Sequence, residues 1–468
     1  MEGANPMTRW LALLALLAIA GIARSGSPNF LVIVTDDQRP DTIHALGNPH
    51  IRTPVLDRLV REGTSFTRAF CANPHCVPSR AEILSGCSGF RNGVWKSGLR
   101  FRPGLVFWGD ALQAAGYHTV YAGKWMNDGT PHTRGYRECA GWYGGGGARG
   151  KPMAYPNDHK GAPVTGYRGW HFKTNTGAPI FEQGIGLGPR TSAQIVDAAL
   201  ARIRQGFNQP FFLHLNFTAP HDPLHIPPGM KERYAELAKA LPVPGNFLPE
   251  HPFDHGHLGG RDEELLPWPR TRDAIRRELA AYYVVIEDLD AQLGRLIQRL
   301  EADRLLDRTV VIFTSDHGLA LGSHGLMGKQ NMYDHTLRVP LIFRGPGIPA
   351  NARRGALCYL RDLYPTTCDL AGATIPGAVQ GKSLVPALRE VQAVIHERVY
   401  GHFDEVQRMV QGERYKLTWY PKTGRRQLFD LQADPGELRD LVAHPEMKTR
   451  VEAMMRALER WLAGQGVK

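Results

Sequence analysis

Five short apolar runs rich in β-branched and aromatic side chains constrain this chain more than any other feature. They read NFLVIVTDD (29–37), HTVYAGK (118–124), PFFLHLNFTAPH (210–221), TVVIFTSDHG (309–318) and VPLIFRGPG (339–347). Near-continuous apolar runs of this length are strands buried on both faces. Helical patterns separate them at 54–62, 79–84, 109–115, 192–205 and, as one long amphipathic stretch, 273–303. Strands that alternate with helices build a doubly wound parallel sheet, because each crossover helix covers one face of it. The expected fold is α/β, with a central, mostly parallel sheet flanked by helices. Hairpin-like runs follow residue 389 (RVYGHFD, QRMVQGE, YKLTWYP, QLFDL), then an amphipathic helix over 445–463, which together predict a small C-terminal antiparallel sheet plus helix. The expected organisation is a main domain over 28–388 and a subdomain over 389–468.

Four of the five runs stay apolar until their last residues and then end in Asp36-Asp37, Lys124, His221 and Asp316-His317. In open α/β sheets ligands bind beyond the carboxyl ends of the strands, so these endings point to one site. Asp36, Asp37 and Asp316 bring three carboxylates to one edge, with His317 beside them. Such a concentration of negative charge suits a hard dication, Ca2+ or Mg2+, which takes oxygen ligands. The stretch CVPSRAEILSG (76–86) adds a lone cysteine ahead of a helix predicted from Ser79, with Pro78 suited to the first turn. Unpaired backbone N–H groups there favour an anion, so a thiolate would be stabilised and nucleophilic. Yet sulfur prefers softer metals, and a free thiol beside a hard-cation site is a chemical mismatch.

A resemblance removes the mismatch. C-V-P-S-R followed by A-E-I-L-S-G matches the C-x-P-S-R signature of the type I, formylglycine-dependent sulfatases of the alkaline-phosphatase-like superfamily. Six blocks occur in the order that family shows: NFLVIVTDDQRPD, TPVLDRLVREGTSFTRAFCANPHCVPSR, GYHTVYAGKW, TAPHDP, TSDHGLALGSHGLMGKQNMYDHTLRVPLIFRGPGIP and QLFDLQADPGELRDL. The resemblance implies a sulfuric ester hydrolase that releases inorganic sulfate. By it, a formylglycine-generating enzyme converts Cys76 to formylglycine, which hydrates to a geminal diol and attacks sulfur. Arg80 holds the diol. Asp36, Asp37, Asp316 and His317 bind Ca2+ together with an oxygen of the modified residue 76. Lys124 and Lys329 neutralise charge on the transferring sulfuryl group, and His221 protonates the departing alkoxide. The second hydroxyl of the diol then lets the sulfate ester collapse by elimination, which an ordinary alcohol could not do.

One position departs from the family pattern. Many members read G-K-W-H, where the His helps deprotonate the diol, whereas this chain reads GKWMND and places Met126 there. Methionine cannot act as a base. The glucosamine-6-sulfatase branch similarly carries an apolar residue followed by Asn, so the departure does not imply inactivity. His75, Asn127 and His132 are the remaining candidates for the base, and Asn127, His324, His402 and Arg408 are candidate substrate contacts.

Composition narrows the partner. Fifty-six Lys and Arg against 45 acids give a formal charge of +11, which steers anions to the surface. The basic residues form no stripe or arm and no nucleic-acid motif is present, so a sulfated saccharide is expected and nucleic acid is not. The Gly- and Pro-rich stretch 141–189, with Trp142, Tyr143, Tyr155, Trp170 and His171, reads as a long irregular loop facing the sugar. Arg9, the apolar run 10–22 and the small residues Ala23, Ser25 and Ser27 have the layout of a cleavable signal peptide over 1–27. The run is shorter than the roughly 20 residues a membrane span needs. A secreted or periplasmic protein without a stable membrane span is therefore expected. Six cysteines in so long a chain are too few for a disulfide scaffold. A phosphonate or phosphodiester hydrolase of the same superfamily is the main alternative; a secreted polysaccharide-binding protein without catalysis is a third reading.

Overall fold

The computed structural model describes residues 26–466 apart from 147 and 149. Nearly all of the expected signal peptide therefore lies outside the described residues. Eleven strands form the main sheet: β1 (Asn29–Thr35), β2 (Thr64–Phe70), β3 (His118–Lys124), β4 (Glu138–Gly144), β5 (His171–Lys173), β6 (Pro179–Ile185), β7 (Phe211–Asn216), β8 (Thr309–Ser315), β9 (Arg338–Arg344), β10 (Ala352–Arg354) and β11 (Cys358–Tyr359). Their order is β10-β2-β9-β8-β1-β7-β3-β4-β5-β6, with β11 also on β2. The centre, β8-β1-β7-β3-β4, is parallel. β9 runs antiparallel to both β8 and β2, and β4, β5 and β6 pair antiparallel, so the sheet is mixed towards its edges.

Alternate residues of the central strands feed two cores. Phe30, Val32, Phe212 and Ile312 face one side, where they meet helices α2 (Cys76–Ser85), α3 (Trp108–Ala114) and α7 (Leu363–Ala371) through Ile83, Trp108 and Leu363. Leu31, Ile33, Leu213 and Phe313 face the other, against α1 (Pro54–Glu62), α4 (Thr191–Arg204) and α6 (Arg272–Ala302) through Leu56, Ile195 and Leu293. Both faces are thus dry, which is why the strands read as continuous apolar runs. A ten-residue helix, α5 (Lys231–Ala240), joins α6 in a third cluster through Leu237 and Leu279.

The second unit is an antiparallel sheet of β12 (Val399–Phe403), β13 (Gln407–Gln411), β14 (Tyr415–Tyr420) and β15 (Arg425–Asp430), covered by α8 (Lys448–Gly464). Val410, Leu417 and Leu428 meet Val451, Met455 and Leu458 across that contact.

Three expectations need correction. The helix predicted from Ser79 begins at Cys76 itself, so residue 76 is its first residue. The third run ends as a strand at Asn216, and residues 217–221 form a turn beyond it. The stretch 141–189 is not one irregular loop: it carries the end of β4 and all of β5 and β6. Its aromatics do not face a sugar as a group, because Trp142, Tyr143 and His171 are buried and only Tyr155 is well exposed. Among the described residues no helix is long and apolar enough to cross a membrane, and all six cysteines are free thiols.

Candidate active site

Strand register creates the site. Thr35 pairs with Ser315, and Val34 with Asn216, so Asp36 and Asp316 leave the sheet side by side at the level where β7 ends. Gly123 also pairs with Asn216, which sets Lys124 at the same edge. Asp37 adopts φ 67°, a left-handed conformation that costs a non-glycine residue energy and turns its carboxylate towards its neighbours. Tyr282 donates to the Asp37 carbonyl at 2.6 Å and holds that turn.

Helix α2 brings in the rest. The Cys76 thiol lies 3.3 Å from Asp36 Oδ1 and 3.3 Å from His317 Nε2. Arg80, one helical turn later, donates through Nε to Asp316 Oδ2 at 2.9 Å and through Nη1 to Asn216 Oδ1 at 2.7 Å. Its remaining donors reach the carbonyls of Thr35 and Phe217. The guanidinium therefore ties Asp316 to the ends of β1 and β7. Lys124 ion-pairs with Asp36 Oδ2, and Lys329 reaches Asp37 Oδ1 and Oδ2 at 3.0 and 3.1 Å. His221 Nε2 faces Asp37 Oδ2 at 3.9 Å.

Asp36, Asp37, Cys76, Arg80, Lys124, His221, Asp316, His317 and Lys329 are all buried, so their charges act in a medium that screens poorly. Burial would raise the Asp36 carboxyl, but Lys124, His221 and Arg80 hold it well below the usual range. Asp37 goes the other way, because burial outweighs Lys329 and His221. Burial and Asp36 push the Cys76 thiol up, yet Lys124, Lys329 and His317 together bring it down to about 7. His221 is shifted well upward: burial and Lys329 oppose its charge, and Asp37, Asp222 and Asp36 outweigh them.

A ligand atom from each of Asp36, Asp37, Cys76 and His317 lies within 4.8 Å of the others. Atoms about 2.4 Å from one Ca2+ are at most about 5 Å apart, so these donors are spaced for a single ion. Asp316 Oδ1, 3.5 Å from His317 Nε2, stands beside them. The carboxylates fit a hard dication; the thiol is the one misfit, which an oxygen-bearing residue 76 removes.

Several candidates have their polar contacts elsewhere. His324 stacks on Tyr333 at 3.8 Å and meets Asn246. His402 lies 4.3 Å from the Phe90 ring with Asn73 at its Nδ1. Arg408 donates to the carbonyls of Asp404 and Gln407. His132 bonds the carbonyls of Tyr136 and Asn175. Asn127 stays close, donating to Val77 O at 3.0 Å. His75 precedes the helix, next to Ser97 Oγ, and burial lowers its pKa to about 3.

Besides Asn216 and Tyr282, four residues enter that the sequence did not single out. Tyr167 donates to Asp36 Oδ2 at 2.8 Å from within the Gly-rich stretch. Asp222 holds His221 Nδ1, with its carbonyl at 2.6 Å and its Oδ1 at 3.0 Å. Arg261 and Asp262 arrive from the connection between α5 and α6 and pair with Asp222 and Lys329. Only Asp222 had a signal, as part of TAPHDP.

The sulfatase family model matches residues 28–373, which span this whole edge. The chain belongs to the sulfatase family, and it is an enzyme. A second match, to the C-terminal region of N-sulphoglucosamine sulphohydrolase, covers residues 322–463 of this sulfatase. An arylsulfatase of Clostridium perfringens is 27% identical over 94% of the chain and 95% of its own length. Among solved structures, a protein in complex with its substrate D-glucosamine-2-N,6-O-disulfate aligns with TM-score 0.76 and 24% identity, covering 94% of this chain and 98% of that one. A phosphonate monoester hydrolase from Silicibacter pomeroyi aligns with TM-score 0.74 and 23% identity over 94% and 96% of the two chains. The two structures establish the alkaline-phosphatase-like fold.

Proposed function

We propose that this enzyme hydrolyses the sulfate ester of a carbohydrate and releases inorganic sulfate, with residue 76, in its formylglycine form, as the nucleophile. The observation that carries this reading is the place of residue 76: the first residue of α2, buried, and 3.3 Å from both Asp36 Oδ1 and His317 Nε2. Asp36, Asp37, Asp316 and His317 would hold a Ca2+ ion, which when bound would polarise the sulfate oxygens. Hydrated formylglycine supplies two hydroxyls on one carbon, one to attack sulfur and one whose deprotonation lets sulfate leave.

The chain's own residues do the remainder. Lys124 and Lys329 flank residue 76 and offer positive charge to the equatorial oxygens of the sulfuryl group. Arg80 keeps Asp316 oriented. His221, with Nδ1 held by Asp222, keeps Nε2 directed into the site and donates its proton to the leaving oxygen. A sugar is favoured by the +11 charge and by the sulfated glucosamine that is the substrate of one structural neighbour. We further propose that the protein is exported and matured by a formylglycine-generating enzyme. Phosphonate ester hydrolysis is the second reading, because a phosphonate monoester hydrolase shares the fold at TM-score 0.74.

The test pairs two measurements on protein produced with a formylglycine-generating system. Peptide mass spectrometry should find an aldehyde or its hydrate at position 76, and nitrophenyl sulfate should be turned over far faster than a nitrophenyl phosphonate. Full activity with an unmodified thiol, or a preference for the phosphonate, would reverse the assignment.

A further inference from the structure

Beyond the residues that face a substrate, the structure links six side chains into a closed ring in which acid and base alternate. Asp37 contacts Lys329 at 3.0 Å, and Lys329 lies 3.7 Å from Asp262 Oδ2. Asp262 Oδ1 pairs with Arg261 Nη2. Arg261 grips Asp222 with both terminal nitrogens, at 2.6 and 2.8 Å. Asp222 Oδ1 is 3.0 Å from His221 Nδ1, and His221 Nε2 returns to Asp37 at 3.9 Å. We infer that Arg261, anchored by Asp262 and acting through Asp222, is a positioning residue that sets the ring orientation of His221. The inference rests on the assignment of His221 as the general acid.

Geometry distinguishes this from two simpler roles. Arg261 could bind substrate directly, but its terminal nitrogens are committed to two carboxylates and to Thr165 Oγ1 at 3.3 Å. Its charge is therefore already balanced. It could merely anchor its loop, yet its partners are the residue that orients His221 and the residue that flanks Lys329. Gln330 Nε2 donates to Asp262 Oδ2 at 2.9 Å, so the Lys329 segment is tied to the same carboxylate by a second bond. Arginine suits the task because its planar fork engages a carboxylate in one orientation, which a lysine cannot do. Without that fork the Asp222 side chain is free to turn; His221 Nδ1 keeps the Asp222 carbonyl at 2.6 Å but loses its second restraint, and the direction of Nε2 is less tightly set. Sub-ångström to ångström displacement of a proton donor is enough to lose much of its contribution.

The consequence is selective. A sugar alkoxide needs its proton at departure, whereas nitrophenolate leaves without one. Arg261→Ala should lower kcat for a sugar sulfate by about 10–100-fold, part of the about 10²–10⁴ that a positioned acid supplies. For the same substrate KM should stay within about threefold, and kcat on nitrophenyl sulfate should fall by no more than about threefold, because uniform binding and leaving-group-independent steps are untouched. Arg261→Lys should recover only part of the loss, and Asp222→Asn, which weakens the charged fork on the His221 side, should show the same leaving-group dependence. Near-ultraviolet circular dichroism and thermal melting report whether each variant folds; the lysine and asparagine variants carry the test if the alanine variant does not. Equal losses on the two substrates, a rise in KM with kcat unchanged, or wild-type rates throughout would each overturn the inference. The pair of leaving groups is built on whichever ester the wild type hydrolyses, sulfate or phosphonate. A phosphonate preference in the wild type would thus defeat the sulfatase reading while leaving this comparison to decide the role of Arg261.

Discussion

Replacing Lys416 with methionine should uncouple the C-terminal sheet from the segment that carries Lys329. Lys416 points from β14 into the contact between the two sheets, fully buried, with Asp334 Oδ1 at 2.7 Å and Glu437 Oε1 at 2.7 Å. Glu437 Oε2 also accepts the backbone N–H of Asp334 at 2.7 Å. Asp334 lies five residues beyond Lys329 in the chain, and Tyr333 between them is held by Gln427 of β15 at 3.2 Å. One ammonium thus serves two carboxylates in a dry contact. It can neutralise only one of them: Lys416 and Arg338 overcome burial to keep Asp334 below its ordinary value, while burial drives Glu437 up to about 7.

Methionine nearly keeps the length of the side chain and removes the charge, leaving Glu437 without a cation and Asp334 with only Arg338, at 3.4 Å. Breaking a buried pair in this way costs about 3–5 kcal/mol, whereas exchanging the whole set for neutral groups costs much less. Lys416→Met should therefore lower unfolding free energy by about 3–5 kcal/mol, and the triple variant that adds Asp334→Asn and Glu437→Gln should regain at least half of it. The sign with pH follows from Glu437. Its folded value of about 7 exceeds the ordinary 4.5, so the folded state binds the extra proton and stability falls as pH rises across that window. The full effect is up to about 3 kcal/mol, and Glu437→Gln should flatten it. Guanidinium titrations at pH 5 and pH 8, followed by tryptophan fluorescence and far-ultraviolet circular dichroism, read all three variants. A single variant within about 1 kcal/mol of wild type, well below the expected cost of an uncompensated buried charge, would refute the reasoning. So would a triple variant no more stable than the single one.

Two further outcomes bear on the site itself. Tyr167→Phe removes the 2.8 Å donation to Asp36 Oδ2; losing an outer partner of this kind costs typically about 10–100-fold in metal affinity or activity, and unchanged values for both would mean that the hydroxyl is only a packing group. Asp316→Ala strips a carboxylate from the cluster and the partner from Arg80 Nε, so the purified variant should carry little Ca2+ by elemental analysis and turn over no sulfate ester; normal metal content with normal turnover would remove Asp316 from the ligand set.

The core of this fold was legible because β1, β3, β7 and β8 are buried on both faces and had to be apolar along their length. Their polar terminal residues then stood out, and the register that sets Asp36 beside Asp316 follows from parallel pairing. What escaped was at the margins. β2, TSFTRAF, mixes Thr, Ser and Arg into its run, and its Thr67 is exposed and its Arg68 only partly buried. β4 to β6 contain Gly141, Gly144 and Gly184 and lie at one edge of the sheet, so they lack the continuous apolar signature and read as loop.

The ring through Asp222, Arg261 and Asp262 was illegible for a different reason. Residue 261 lies 39 positions from residue 222 and 68 from residue 329, in a connection with no strand or long helix of its own between Leu241 and Thr271. No periodicity fixes where such a segment runs; the meeting of Arg261 with Asp222 is decided by tertiary packing, above all the docking of that connection over the turn that follows β7. A side chain that contacts the substrate tends to sit in a recognisable motif, because chemistry dictates both residue type and spacing. A residue that only aims another can occupy any loop that passes within reach, provided its charge is right. The candidate catalytic edge of this sulfatase was therefore readable one strand end at a time, and the parts that would keep His221 in place became visible only once the loops were in place.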